Sequence, residues 1–186
     1  MSDIACEISD LKKSFGPNQV LRGISMKLPS GQVSVLMGAN GAGKSTLVKV
    51  LCGVQKSDSG DVKLFGSSFK PKSPIEAYKN GVITVHQSIN DGVIPDLDVT
   101  SNLLLDSLAQ PGKQFLLKRS EMKARATKIA KSIGFKGDLD TVVARLGIAD
   151  RQMIAIARAV ACNPKLLILD EPTSSLSAIE AKRLFE

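Results

Sequence analysis

The segment that most restricts the fold reads VSVLMGANGAGKST, Val33 to Thr46. VSVLM is apolar along nearly its whole length, the pattern of a strand covered on both faces. TLVKVLC, Thr46 to Cys52, has the apolar spacing of a helix and is stopped by Gly53. Between them Gly38, Gly43, Lys44 and Ser45 fit the pattern G-x-x-x-x-G-K-[ST], with Ala39, Asn40, Gly41 and Ala42 filling the interval. Glycines let such a loop curl so that several backbone amides point at one anion with no Cβ in the way. The helix that follows adds the positive end of its dipole. Lys44 supplies a point charge for β- and γ-phosphates, and the Ser45 hydroxyl is a ligand for Mg²⁺. Strand, loop and helix together predict a nucleoside triphosphate site spanning Gly38 to Thr46.

The flanking sequence sets the fold class. Ile4, Cys6 and Ile8 alternate, as do the residues from Ile24 to Leu28 and from Asp61 to Phe65, with turns at Pro29-Ser30-Gly31 and Asp58-Ser59-Gly60. VITV (Val82 to Val85) and LLIL (Leu166 to Leu169) read as two more buried strands. A mostly helical stretch separates them, broken at Pro95, Pro111-Gly112 and Gly134. Buried strands alternating with helices predict an α/β protein with a parallel sheet, preceded by an antiparallel β portion and interrupted by one helical insertion. Aromatics make up only 4% of the chain, so aliphatic residues must fill its core. No apolar run is long enough to cross a bilayer. Cys6, Cys52 and Cys162 have no metal-like or redox spacing and are expected to be buried, reduced thiols of a cytosolic chain. The acidic start, MSDIACEISD, lacks the features of a secretory signal.

Part of the net charge of +7 is local. Lys113, Lys118, Arg119, Lys123, Arg125, Lys128, Lys131 and Lys136 stand against Glu121 alone. Met122, Ala126, Ile129 and Ile133 recur at helical spacing among them, which puts the bases on the opposite face. The expectation is a solvated helix face; attraction to anionic lipid or nucleic acid is the other reading.

Asp170 and Glu171 follow LLIL directly, at the carboxyl end of a strand where open α/β sheets hold ligands. Asp170 suits a Walker B carboxylate that holds Mg²⁺ through its water shell. Glu171 is then placed to orient or deprotonate an attacking water. Gln87, just after VITV, is a third polar group at a strand end and a candidate for the same metal and water.

DEPT at Asp170 to Thr173, Gln87 after an earlier strand, and a helical insertion between them resemble the ATPase domain of ABC transporters. The likeness covers essentially the whole chain. More narrowly, FGPNQVLRGISMKLPSGQV, VHQ and DEPTSSLS are similar to the first nucleotide-binding domain of tandem-domain ATPases that drive simple-sugar importers. The resemblance implies a P-loop NTPase domain of ABC type: a parallel sheet with flanking helices, an antiparallel β subdomain with the P-loop core (1–87), a helical insertion (88–145), and a signature helix, Walker B and D-loop (146–186). It implies that Phe15 stacks on adenine, although a core Phe at a strand end fits the residues as well. Ser174, Ser175 and Leu176 would form the D-loop.

The same resemblance identifies LGIAD, Leu146, Gly147, Ile148, Ala149 and Asp150, as a departed form of the LSGGQ signature, which binds the γ-phosphate of ATP held by a partner domain. Gly147 stands where a serine hydroxyl would donate, Ala149 adds a methyl, and Asp150 brings a negative charge toward a phosphate. Asp150 also reads as the N-cap of a helix from Arg151 to Cys162, ended by Asn163-Pro164.

Family members carry a switch histidine beyond Walker B. This chain has one histidine, His86, beside Gln87, and its last residue, Glu186, lies shortly after Glu171. The expectation is therefore an N-terminal fragment in which the switch and last strands are missing. The implied cofactors are ATP and Mg²⁺. The implied partners are a second ABC domain, membrane permease subunits and, indirectly, a solute-binding protein, with no nucleic acid. The implied location is cytoplasmic, peripheral on the inner face of the membrane. Two other functions compete: a soluble ABC ATPase acting on nucleic acid or ribosomes, and a catalytically degenerate regulatory domain.

Overall fold

The computed structural model describes residues 3–86, 92–108, 118–172, 178 and 182. Two units divide the chain, Met1–Ile83 and Thr84–Glu186.

The first unit is built on an antiparallel sheet. Strand β1 (Ile4–Phe15) lies between β2 (Asn18–Pro29) and β3 (Ser59–Leu64), and β3 pairs with the two-residue β4 (Ser67–Ser68). Cys6 and Ile8 alternate into the core as their sequence spacing predicts, but the next buried residue is Leu11, an odd step away. A bulge accounts for it. The β1–β2 register shifts between Ile8 and Leu11, and Asp10 takes φ 46° with its amide donating to Ser25 Oγ at 2.9 Å. Glycine is required on the neighbouring strand, because a methyl at Gly60 would overlap the Asp10 carbonyl. Had the strict alternation continued, Asp10 rather than Leu11 would have entered the core.

Helix α1 (Lys44–Leu51) buries Leu47, Val48, Val50 and Leu51 along one face. It ends at Cys52 and Gly53, where φ 74° and the nearby Ser73 carbonyl exclude a side chain. Helix α2 (Pro74–Lys79) starts with reciprocal caps: the Glu76 amide donates to Ser73 Oγ at 3.3 Å, and the Glu76 carboxylate accepts the Lys72 amide at 2.8 Å.

VSVLM departs from its expectation. Among the described residues Val33 to Met37 carry no strand pairing; Val33 is 90% exposed and Met37 85%. An apolar run states what would gain from burial, not what covers it. The four-stranded sheet is the only sheet among the described residues of this unit, and none of its strands pairs with the segment.

Strand β5 (Val82–Val85) leads into the second unit and pairs with β6 (Leu166–Leu169); the Asp170 amide donates to the Val85 carbonyl at 3.0 Å. LLIL is half-buried rather than covered on both faces. Between the strands, α3 (Val99–Leu108), α4 (Arg119–Ser132) and α5 (Ile148–Ala161) pack on one another. Their core holds Val99, Leu103, Leu104, Ala126, Ala130, Ile154 and Ala157.

Asn102, fully buried on α3, donates to the carbonyls of Ile94, Leu97 and Asp98 and accepts the Ile94 amide at 2.7 Å. It thereby fixes the loop around Pro95. That loop is laced to the approach to α5, because the Val143 and Ala144 amides donate to Leu97 and Pro95 carbonyls. The described bases from Lys118 to Lys136 are all exposed, and of the α4 bases Lys123 pairs with Asp140 at 2.6 Å. This is the solvated face expected from the sequence.

Candidate functional site

The loop from Gly38 to Gly43 is an open cradle. Gly41 and Gly43 take φ 80° and 90°, conformations that favour glycine, and the Ala42 amide donates to the Ala39 carbonyl at 3.1 Å to close the turn. Gly43 is constrained twice. A methyl there would lie 2.9 Å from Leu21 Cδ2 and 3.2 Å from the Val20 carbonyl, so β2 presses directly on the loop. The contact could not be foreseen from the G-x-x-x-x-G-K-[ST] pattern, which justifies this glycine by backbone curl alone.

Lys44 opens α1, and its ammonium reaches back to donate to the carbonyls of Gly38 at 2.7 Å and Ala39 at 3.0 Å. The charge is thus held over the loop it belongs to. Among the described residues no side chain caps the start of α1, so its first amides are available to a ligand. Ser45 is exposed and Thr46 half-buried on that first turn. A positive charge, a helix start without a side-chain cap and two left-handed glycines fall within Gly38 to Thr46, a combination that suits a polyphosphate.

Phe15 closes the β1–β2 turn and is 46% exposed, so it is not a core residue. The Lys13 ammonium stands 5.4 Å from its ring centroid, a cation–π distance. Lys13 is itself held by Asp58 at 2.9 Å. The Lys13 ammonium and the Ser14 amide beside Asp58 lower its carboxyl pKa.

In the second unit, Asp170 is half-buried at the end of β6 and anchored through its amide to Val85. Glu171 is exposed and takes φ 49°, a left-handed conformation unusual for a residue with a side chain and typical of functional turns. Ser45 in the first unit and Asp170 in the second are each, taken singly, a hard oxygen donor of the kind Mg²⁺ accepts. His86 is exposed just beyond β5. Gln87 and the D-loop residues Ser174, Ser175 and Leu176 lie outside the described residues.

The segment Leu146 to Asp150 is placed differently from its sequence expectation. Helix α5 begins at Ile148, with Gly147 as N-cap at φ −63° and ψ 162°, and Asp150 sits inside the first turn. The first bond of the helix runs from the Arg151 amide to the Gly147 carbonyl at 3.1 Å, so Asp150 already lies within the turn and cannot cap it. The Arg151 guanidinium adds bonds to the Leu146 carbonyl at 3.0 Å and the Ala144 carbonyl at 2.6 Å. A carboxylate in the first turn still favours the helix through its dipole. The other end follows the sequence: Asn163 takes φ 53° ahead of Pro164.

The profile of the ABC transporter family matches residues 21–174. The galactose/methyl galactoside import ATP-binding protein of Treponema denticola is 42% identical over 185 residues, which are 100% of this chain and 36% of that protein. The ribose import ATP-binding protein of Bacillus subtilis is 37% identical over 97% of this chain and 36% of its own length. The galactofuranose transporter ATP-binding protein of Escherichia coli strain K12 is 39% identical over 95% and 34%. The chain therefore spans about a third of the length of the curated relatives it matches. Among solved structures, the ADP conformation of an ATP-binding cassette of an ABC transporter superposes with a TM-score of 0.84 at 28% identity, covering 98% of this chain and 74% of that one. A nucleotide-free ATP-binding cassette superposes with a TM-score of 0.81.

Proposed function

The chain belongs to the ABC transporter family, and from that premise we propose that it is the ATP-binding, energy-coupling part of an importer for a sugar or related small solute. One observation carries the reading: Lys44 folded back over a glycine cradle at the uncapped start of α1. The import names of its relatives support the direction and class of transport.

In this reading the amides of Gly41 to Thr46 and the Lys44 ammonium hold the β- and γ-phosphates, and Phe15 stacks on the adenine. Mg²⁺, when bound, would neutralise charge on the phosphates; Ser45 would ligate it, Asp170 would hold it through its water shell, and Gln87 is the third candidate. Glu171 orients or deprotonates the attacking water. Leu146 to Asp150 meets the ATP of a second ABC domain, Ser174 to Leu176 forms the D-loop, and the insertion passes the motion to permease subunits at the inner face of the membrane. A solute-binding protein acts on the other side.

Gly147 leaves this signature without a donating hydroxyl, and Asp150 brings a carboxylate toward phosphate. The composite site it completes is therefore expected to turn over slowly, while the chain's own cradle binds ATP. Calorimetry with Mg·ATP tests the first claim: heat of binding that disappears in Lys44→Ala supports it, and unchanged affinity in that variant rules it out. Turnover of the assembled protein with Gly147→Ser, Ala149→Gly and Asp150→Gly tests the second, and an unchanged rate counts against it.

A further inference from the structure

Helix α5 carries two arginines, Arg151 and Arg158, seven positions and so about two turns apart, which places both on one face. Each is used as a tether. Arg151 grips the carbonyls of Ala144 and Leu146 just ahead of the helix. Arg158 forks onto Asp106 of α3, Nε to Oδ2 at 2.5 Å and Nη2 to Oδ1 at 3.2 Å, and its Nη1 donates to the Gly92 carbonyl at 3.1 Å. Both side chains of the ion pair are mostly covered, at 22% and 24% exposure, so the bond is shielded from water and salt. Gly92 is also pressed against the helix: a methyl there would come within 2.8 Å of Ala155 Cβ. Three separate stretches, 92, 99–108 and 144–146, are thereby pinned to a single face of α5.

A planar fork with two acceptors on one residue and a third elsewhere resists rotation as well as separation. We propose that Arg158 is a positioning residue, which fixes the axial rotation of α5 against the helical insertion and so sets where Leu146 to Asp150 faces. The role rests on the reading of that segment as the signature. Arg158 touches no nucleotide in this scheme; it acts through the helix.

The test uses Arg158→Lys and Asp106→Asn in the complete protein, each compared with the unmodified protein. Arg158→Lys keeps the charge and most of the packing but loses the fork. Three quantities are read: hydrogen exchange over 146–152, hydrogen exchange over α1, and ATP turnover against ATP concentration. Exchange over 146–152 is expected to rise about tenfold in both variants with α1 unchanged, as for a local rather than global loosening. Maximal turnover is expected to fall about tenfold with half-saturation within about twofold, because the nucleotide's own cradle is untouched. Unchanged exchange over 146–152 in either folded variant overturns the tether. A rise in exchange with turnover unaltered leaves the tether standing and refutes the signature reading beneath it. Exchange read as well along α3 and the rest of α5 separates a purely packing role: a rise there as large as that over 146–152 also overturns the proposal.

Discussion

At the scale of single residues, glycine and cysteine make opposite demands on their surroundings. Gly43 combines φ 90° with a Cβ position already occupied by Leu21 and Val20. Gly43→Ala is expected to cost about 1–3 kcal/mol, from the left-handed backbone and the overlap together. It should lower the thermal midpoint and abolish Mg·ATP binding, whereas Gly41→Ala, with open space around it, should lose less stability. Cys6 faces the sheet interior, and burial pushes its thiol up from 9.0 to about 11. The thiolate is the reactive species, so Cys6 should resist a thiol-titrating reagent at neutral pH until the chain unfolds. The folded form binds this proton more tightly than the unfolded one. Its contribution to stability is therefore whole below pH 9 and is lost as pH rises toward 11, which a denaturation series in that window can read. Asp58 has the opposite sign. Its lowered pKa contributes stability above the ordinary carboxylate value, lost as pH falls through the folded one, and the exposed setting keeps the effect small.

At the scale of elements, helix α5 shows how far local pattern carries. Its apolar face and its stop at Asn163-Pro164 were legible because periodicity and proline act within a few residues. Its start was not. Asp150 is a good N-cap in isolation, but Arg151 reaches carbonyls at Ala144 and Leu146, and such a reach has no signature in spacing. Because no described residue lies within 4 Å of the Cβ position of Gly147, a serine there meets no obstacle among them. Gly147→Ser should add a capping hydroxyl and stabilise the protein by a few tenths of a kcal/mol, about what separates glycine from serine at an N-cap. Thermal denaturation reads this without any nucleotide. Strand β5 offers the converse case. Thr84 Oγ1 is buried with no hydrogen-bond partner among the described residues. Thr84→Val replaces it with a methyl of similar shape, so stability should hold or rise by about 1 kcal/mol. A clear loss would mean that the hydroxyl has a partner after all.

At the scale of the whole molecule, what the sequence disclosed and what it hid divide by the range of the forces involved. The cradle was legible because its residues are contiguous and each has a separate chemical reason: curl at Gly41 and Gly43, charge at Lys44, a hydroxyl at Ser45. The antiparallel portion was legible from alternation, apart from the bulge at Asp10, whose carbonyl has room only because Gly60, far along the chain, lacks a side chain. VSVLM misled because burial needs a covering surface, and hydropathy is silent about which one. These limits point to ligand binding as the sharpest test, since a ligand that binds only the folded cradle raises stability by mass action. At a Mg·ATP concentration about 100 times Kd the gain should be about 2.7 kcal/mol. Lys44→Ala removes a surface charge bonded to exposed loop carbonyls, so the unliganded midpoint should barely move while the nucleotide-induced shift collapses. Glu171→Gln should keep the shift in full, because that carboxylate is assigned to the water rather than to the phosphates. If the shift is absent from the unmodified protein, or survives in Lys44→Ala, the cradle does not hold the triphosphate.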